Sequence, residues 1–131
     1  MSYDAFLALV RDRGGYASRQ EAEQVLVAAL DVLASRLSPG AAQALADGLP
    51  AVVTEALERR SEQEGEAEPF GAEEFCRRMA ERTGASPKAA RWDAQAALAF
   101  LADDLPPERI ARILNELPCD YRALLGDPWL S

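Results

Sequence analysis

The sequence predicts an all-α fold on three observations. Alanine and leucine dominate its 131 residues, while β-branched residues are scarce. Apolar residues recur every three or four positions, and no run alternates cleanly over the length of a strand. A pattern in Leu37–Leu57 also recurs in Leu105–Leu125: Leu-x-Pro, a short apolar helix, Leu-Pro and a second short helix. We therefore expect about eight helices, in two pseudo-symmetric four-helix repeats that form one bundle-like domain.

The first repeat is predicted to span residues 1–61 and to contain four helices. Gly14-Gly15 should end the first helix, because glycine readily adopts the left-handed conformation that follows a helix. Ser18 and Glu21 fit a capping box, which starts a long second helix. Proline suits the first turn of a helix, so two prolines mark the starts of the third and fourth. The four helices are expected to begin at Tyr3, Ser18, Pro39 and Pro50.

An acidic linker is predicted at residues 62–70. This stretch holds four glutamates, no basic residue and no apolar periodicity, which is typical of an exposed connection. Those four charges are half of the net charge of -8, so each folded half is nearly neutral. An acidic balance favours solubility and argues against a protein that neutralises phosphates.

The second repeat is predicted to span residues 71–131. Phe70 and Phe75 stand where a hydrophobic staple would place them around an N-cap at Gly71. Gly84 repeats the glycine that ends the first helix. Because a repeat of this size cannot bury its own apolar face, its copy should complete the core. The helices that follow are expected to begin at Ser86, Pro107 and Pro118.

The residue types that carry catalysis are few in this chain. It has no histidine, which removes the commonest general base and transition-metal ligand. Cys76 and Cys119 are too few for a disulfide framework or a zinc site, and we interpret both as small buried apolar residues. The acid pairs Glu73-Glu74 and Asp103-Asp104 point about 100° apart on a helix, so neither converges on one site. We therefore expect no enzymatic activity, no cofactor and no metal.

The cellular location is predicted from several absences in the sequence. No apolar run reaches the length that a bilayer requires. The N-terminal residues, Met1–Asp4, lack the charged and apolar regions of a signal peptide. Two cysteines that do not form a disulfide suit a reducing compartment. We therefore expect a cytoplasmic protein that does not associate with membranes.

One basic cluster surrounds the turn between the fifth and sixth predicted helices. Two helices joined by a tight turn occur in many DNA-binding folds, and Met79–Leu101 also resembles the hairpin through which HU-type nucleoid proteins dimerise. In that family a β-arm contacts the DNA, and this chain has no predicted strand to supply one. Neighbouring glutamates dilute the cluster, so we favour a solvated face over nucleic-acid binding. The cluster consists of Arg77, Arg78, Arg82, Lys88 and Arg91.

Trp92 falls nearly opposite the apolar stripe of the sixth helix, where the matched residue of the first repeat is Gln24. Phe100 lies between the two faces, and we favour a core position for it because a central helix can be apolar all round. Trp92 is expected either to be covered by the C-terminal tail, which contains Trp129 and Leu130, or to contact a partner. The candidate partner-binding residues are Trp92, Phe100, Trp129 and Leu130.

These features together resemble a bacterial family, domain of unknown function twenty-two sixty-seven. The resemblance covers nearly the whole chain and implies a duplicated helical protein, with no catalytic or ligand residues to transfer. Such families usually have Gln before each Leu-Pro pair, whereas this chain has Gly48 and Glu116, which argues against a functional side chain there. The matching residues are Tyr3-Asp4, Phe6-Leu7, Gly14, Arg36-Leu37, Leu49-Pro50 and Leu117-Pro118.

Three functions are compatible with this sequence. The first is a non-enzymatic interaction module that binds a protein partner or a second copy of itself through apolar helix surfaces. The second is association with nucleic acid through the cluster from Arg77 to Arg91. The third is the binding of a small apolar ligand between the repeats. We favour the first, because every candidate acid, base or nucleophile has a structural explanation.

Overall fold

The computed structural model describes residues 3–62, 68–117 and 121 of the chain. Within these residues it contains seven α-helices, one short 3₁₀ turn and no strand, so the all-α prediction is confirmed for this part of the chain. The helices are α1 (Tyr3–Gly14), α2 (Arg19–Arg36), α3 (Pro39–Ala46), α4 (Glu55–Glu62), α5 (Ala72–Thr83), α6 (Pro87–Asp104) and α7 (Pro107–Leu114).

The predicted helix boundaries are confirmed where capping residues set them. The Ser18 hydroxyl accepts the backbone N–H of Glu21 at 3.1 Å and begins α2. The Ser86 hydroxyl caps α6 in the same way. Gly15 and Gly84 have φ angles of +69° and +73°, the left-handed region that glycine occupies without strain. Local chemistry therefore fixes where these helices begin and end.

The prediction that the fourth helix begins at Pro50 is wrong. Pro50 instead precedes a 3₁₀ turn, Ala51–Val53, and α4 begins only at Glu55. The Thr54 hydroxyl donates to the Ala51 carbonyl at 3.1 Å and so holds the chain out of a continuous α-helix. The β-branched run Val52-Val53-Thr54 also lowers helix propensity. Of the eighth helix predicted from Pro118, the structure describes one residue, Tyr121.

Helix α2 lies at the centre of the fold and contacts α1, α4, α5 and α6. Helix α6 contacts α1, α2 and α5, so the two long helices share one interior. Alanine lines much of both helices and lets the backbones approach closely, while leucine fills the remaining space. The core therefore draws on both halves of the chain.

Buried polar contacts join the start of α5 to the end of α2. The Phe70 carbonyl accepts hydrogen bonds from Arg36 Nε at 3.1 Å and from the Tyr121 hydroxyl at 3.1 Å. The Tyr121 ring meets Phe75 edge to face, with 5.7 Å between ring centroids. Nearby, Arg60 Nε donates to the Leu37 carbonyl at 2.9 Å. These buried arginines thus satisfy main-chain carbonyls.

The turn between α2 and α3 is closed by a residue from the far end of the described chain. The Glu116 carboxylate accepts from the Ser38 backbone N–H at 2.7 Å and from its hydroxyl at 2.5 Å. A Cβ at Gly48 would lie 2.5 Å from a terminal methyl carbon of Leu105, so a larger residue there would require that side chain to move. Both residues before the Leu-Pro pairs therefore have a structural role.

The helix lengths recur in order along the chain. Helices α1, α2 and α3 have 12, 18 and 8 residues, and α5, α6 and α7 have 12, 18 and 8 residues. The segment between these two series includes the predicted linker. There Glu62 ends α4, while the Glu68 backbone N–H donates to the Ser35 carbonyl at 3.0 Å and Phe70 is buried. The C-terminal part of the linker is thus fixed against α2.

Replacing Glu116 with Ala should destabilise the fold. It leaves the Ser38 N–H without its partner in a half-buried turn, and we expect a loss of about 1–3 kcal/mol in the free energy of unfolding. Urea denaturation measures the effect. Glu108→Ala, which removes an equal charge from the exposed surface of α7, is the control and should change the stability by about 0.5 kcal/mol or less. Equal losses from both variants would contradict the role of Glu116.

Candidate functional site

Trp92 is an exposed aromatic residue held in a fixed orientation. Its side chain is 56% exposed, as the helical wheel predicts for a residue opposite the apolar stripe. Its indole Nε1 nevertheless donates to the Gly14 carbonyl at 2.9 Å, at the end of α1. The polar atom of the ring is therefore satisfied inside the protein, and its apolar faces remain available at the surface.

Asp93, the next residue, is buried and fastens α6 to the turn between α1 and α2. The Tyr16 hydroxyl donates to its carboxylate at 2.9 Å. Burial raises the pKa of Asp93, the hydrogen bond from Tyr16 opposes that rise, and the negative charge of Glu21 adds to it. The pKa of Tyr16 is also raised, first by burial and then by its hydrogen bond to Asp93. These two hydrogen bonds, from Trp92 and from Tyr16, position the first turns of α6.

A shallow surface depression of about 450 Å³ lies between α1 and α6. Leu9, which is 44% exposed, forms part of its wall, and Arg13 pairs with Asp103 at its edge. Phe100 contributes to the base but is only 4% exposed, because its ring packs edge to face on Phe6 with centroids 5.0 Å apart. We use the name α1–α6 face for the outer surface of these two helices, which carries this depression and also, nearer the start of α6, the exposed Trp92.

The structure separates the predicted partner-binding residues. Trp92 is at the surface, whereas Phe100 is in the core, as its favoured interpretation states, and offers little area to a partner. The other two predicted residues, Trp129 and Leu130, lie outside the described residues. Leu9 was not among the predicted site residues. It stands one position before Val10 of the apolar stripe of α1, and a helical wheel of α1 would have placed it outward.

The predicted basic cluster is divided by ion pairs. Arg77 Nε and Arg78 Nε donate to the two carboxylate oxygens of Glu74, at 2.7 and 2.9 Å. The hydrogen bond from Arg77, followed by that from Arg78, lowers the pKa of Glu74 to about 2. Arg77 also pairs with Glu81, and Arg78 pairs with Glu68. Two of the five cations are therefore neutralised locally, while Arg82, Lys88 and Arg91 are exposed.

A polar depression that the sequence did not reveal runs along the outer side of α2. It has a volume of about 390 Å³, and two neighbouring depressions share its residues Asp31 and Arg82. We call it the α2 groove. Its residues come from three helices and the linker, between Asp31 and Arg82, so no local sequence pattern marks it. They are Asp31, Ala34, Ser35, Ala56, Arg59, Arg60, Glu68 and Arg82.

A small apolar cavity lies in the interior between the two halves. It is lined by leucines and isoleucines such as Leu33, Leu45, Leu98 and Ile110. Its volume is about 30 Å³, about the share of liquid volume that a single water molecule occupies. A ligand would therefore have to displace core side chains, and at this size the cavity gives the apolar-ligand hypothesis no preformed site.

The cysteine within the described residues is only half-buried, rather than fully buried as predicted. Burial raises the pKa of the Cys76 thiol, although the nearby charge of Arg91 opposes that rise. The thiol is therefore held away from the reactive thiolate form. Cys119 lies outside the described residues. Among the residues that are described, no group of three or more carboxylate or thiol side chains is placed to hold a metal ion.

A family model described as "Uncharacterized conserved protein (DUF2267)" matches residues 3–124. No curated protein matches the chain. Across the described residues, none of the helices has both the length and the apolar character required to cross a bilayer.

Replacing Asp93 with Asn should remove a destabilisation of the folded state that grows as the pH rises. Because the folded-state pKa of Asp93 lies above its ordinary value of 3.8, the folded state binds more protons than the unfolded state between the two pKa values. The wild-type stability contributed by this group is therefore present at low pH and is lost as the pH rises through the folded pKa. Asn keeps an acceptor for the Tyr16 hydroxyl without the charge.

We expect the free energy of unfolding of Asp93→Asn to exceed that of the wild type at pH 7 and to approach it near pH 4. Urea denaturation across this range measures the difference. Asp47→Asn, at an exposed position, serves as the control and should follow the wild-type profile. A difference between Asp93→Asn and the wild type that is constant with pH would contradict this assignment.

Proposed function

The chain belongs to the DUF2267 family of uncharacterized conserved proteins, and on that premise we propose that it is a non-enzymatic helical interaction module. It binds a protein partner, or a second copy of itself, through the α1–α6 face centred on Trp92. The absence of histidine from the sequence supports a function without acid–base catalysis. The acid pair at Glu73-Glu74 also has a structural explanation, since Glu74 is an ion-pair partner of two arginines.

The observation that carries this proposal is the state of the Trp92 ring. A tryptophan needed for the core would be buried, whereas this one is 56% exposed. Its hydrogen bond to the Gly14 carbonyl restricts the ring before any partner arrives. A restricted aromatic side chain loses less conformational entropy on binding, and tryptophan is enriched among the residues that dominate interface energies.

The α1–α6 face as a whole suits an interface that combines apolar area with a charged edge. Leu9 adds exposed apolar area on α1, and the ion pair between Arg13 and Asp103 borders the depression between α1 and α6. Interfaces commonly combine an apolar centre with a polar rim. The depression is shallow, so an apolar side chain or a helix from a partner suits it better than a small enclosed ligand.

We also propose that the two halves are copies of one four-helix unit. Helices α1 and α5 begin 69 residues apart, at Tyr3 and Ala72, and have the same length. Helices α2 and α6, which begin at Arg19 and Pro87, are 68 residues apart, as are α3 and α7. The left-handed glycines Gly15 and Gly84 follow the same correspondence.

Contacts between the halves support this correspondence, because they occur in nearly reciprocal positions, within one residue. Glu116 contacts Ser38, one residue before α3, while its counterpart Gly48 closely approaches Leu105, two residues before α7. By the same correspondence Trp92 replaces Gln24 of the first copy. The exposed tryptophan therefore distinguishes the second copy from the first. Such a difference is expected if one copy acquired a function that the other lacks.

The alternatives have less support. Nucleic-acid binding would use the cluster from Arg77 to Arg91, but Glu68, Glu74 and Glu81 neutralise its first two arginines. Phosphate tracking depends on free positive charge, and the chain as a whole carries -8. Binding of an apolar ligand between the halves would require the small internal cavity to expand at the expense of core packing.

The substitution Trp92→Gln should weaken the interaction while leaving the fold intact. Glutamine is the residue at the corresponding position of the first copy, so the helix should accept it. We expect a loss of at least about tenfold in affinity, because truncation of a central interface residue commonly costs about 2 kcal/mol or more. Sedimentation equilibrium measures self-association, and quantitative pull-down from the native cell extract measures partner recovery.

The control is Val52→Gln, which removes another exposed apolar residue, 64% exposed, from the 3₁₀ turn. It should behave as the wild type in both measurements. Dissociation of a wild-type dimer by Trp92→Gln alone would identify a second copy as the partner. Equal recovery and equal oligomeric state for the wild type and Trp92→Gln would show that the α1–α6 face is not the binding surface.

A further inference from the structure

Arg82 has an unusual position among the arginines of this protein. It is exposed at the end of α5, and it lines the α2 groove together with both neighbouring depressions. Arg77 and Arg78, on the same helix, pair with glutamates. No carboxylate of the described residues pairs with Arg82, although Asp31 lies in the same groove. A guanidinium without a partner beside an open depression is available to an external anion.

The corresponding arginine of the first copy shows what such a group can bind. By the correspondence between α1 and α5, Arg82 matches Arg13, and by that between α2 and α6, Ser35 matches Asp103. Arg13 pairs with the carboxylate of Asp103. In the α2 groove the same pair of positions holds an arginine and a serine. The groove thus contains the arginine of this ion pair, Arg82, and has the hydroxyl of Ser35 at the position that a carboxylate occupies in the other copy.

The other charges of the groove favour an anion of modest size. Arg59 and Arg60 add positive charge on α4, although Arg59 also pairs with Glu55 and Arg60 donates to the Leu37 carbonyl. Arg78 holds the carboxylate of Glu68, which leaves Asp31 as the main source of repulsion. A carboxylate placed between Arg82 and Ser35 would gain a charge-assisted hydrogen bond from the first and a neutral one from the second.

We propose that the α2 groove binds a carboxylate group through the guanidinium of Arg82 and the hydroxyl of Ser35. The carboxylate belongs either to a small dicarboxylate or to an acidic side chain of a partner protein. This inference rests on the correspondence between the two copies proposed above. It does not depend on binding at Trp92, which lies on the α1–α6 face.

Titration of the full chain with succinate, and separately with an acetylated tetraglutamate peptide, tests the proposal. Proton–nitrogen correlation spectra follow the side-chain Nε–H signal of Arg82 and the backbone amide of Ser35, with ionic strength held constant by sodium chloride. We expect saturable shifts of both signals. Saturation with succinate would identify a small dicarboxylate as sufficient, and saturation with the peptide alone would identify an acidic segment of a protein.

Two variants should weaken this binding by at least tenfold. Arg82→Gln removes the cation, and Ser35→Asp supplies the internal carboxylate that Asp103 provides beside Arg13. Ser35→Asp should also shift the Arg82 signal before any ligand is added. Arg91→Gln removes the same charge from an exposed site outside the groove and should leave the affinity unchanged, as should Trp92→Gln.

The proposal is overturned if neither succinate nor the peptide produces saturable shifts in the wild type. It is also overturned if Arg91→Gln weakens binding as much as Arg82→Gln does, because the effect would then be general charge screening. Circular dichroism verifies that each variant is folded. Loss of partner binding in Trp92→Gln with retention of carboxylate binding would show that the two surfaces are separate.

Discussion

Helix α2 is packed by four other helices, and this constraint determines much of the rest of the structure. Ten of its 18 residues are buried, more than the single stripe of a surface helix would supply. Alanine at many of these positions allows close contact, and each buried leucine contributes about 1.5–3 kcal/mol by leaving water. Apart from Asp31, which lies in the α2 groove, the charged residues of α2 are consequently confined to its ends.

The polar groups at the ends of α2 show how such a packed helix is joined to its neighbours. At its C-terminal end, Arg36 is buried and donates to the Phe70 carbonyl, while Arg60 donates to the carbonyl of Leu37. An arginine stem packs among apolar residues while its guanidinium reaches carbonyls that a short side chain would leave unsatisfied. The residues just before α5 are thereby held against the end of α2. Glu116 performs the equivalent task for the turn between α2 and α3.

Local features of the fold could be predicted from the sequence, because local interactions determine them. Ser18 and Ser86 define helix starts through a hydrogen bond three residues ahead, and the three-four spacing placed Phe100 inward and Trp92 outward. The 3₁₀ turn before α4 was missed, because proline at the start of a helix looked sufficient. The run of β-branched residues and the hydrogen bond of Thr54 outweigh the preference of proline for the first turn of a helix, and the α-helix begins later.

The contacts that could not be predicted join residues far apart in the chain. Tyr16 and Asp93 are separated by 77 residues, and Ser38 and Glu116 by 78. Helical periodicity assigns a residue to a face of its own helix, but it does not state which distant polar group will lie opposite. Nothing in the sequence therefore marks Asp93 as buried, and the α2 groove, assembled from three helices and the linker, leaves no local pattern.

The candidate sites lie where the two proposed copies differ, and a physical reason follows from the packing. Positions in the shared core are constrained to apolar residues of similar volume in both copies, as with Phe6 and Phe75. Exposed positions have no such constraint, so the copies can diverge there without loss of stability. Trp92 in place of Gln24 creates an apolar surface, and Ser35 in place of Asp103 leaves an arginine without its acid. A duplicated helical unit can thus keep one core while its two copies acquire chemically distinct surfaces.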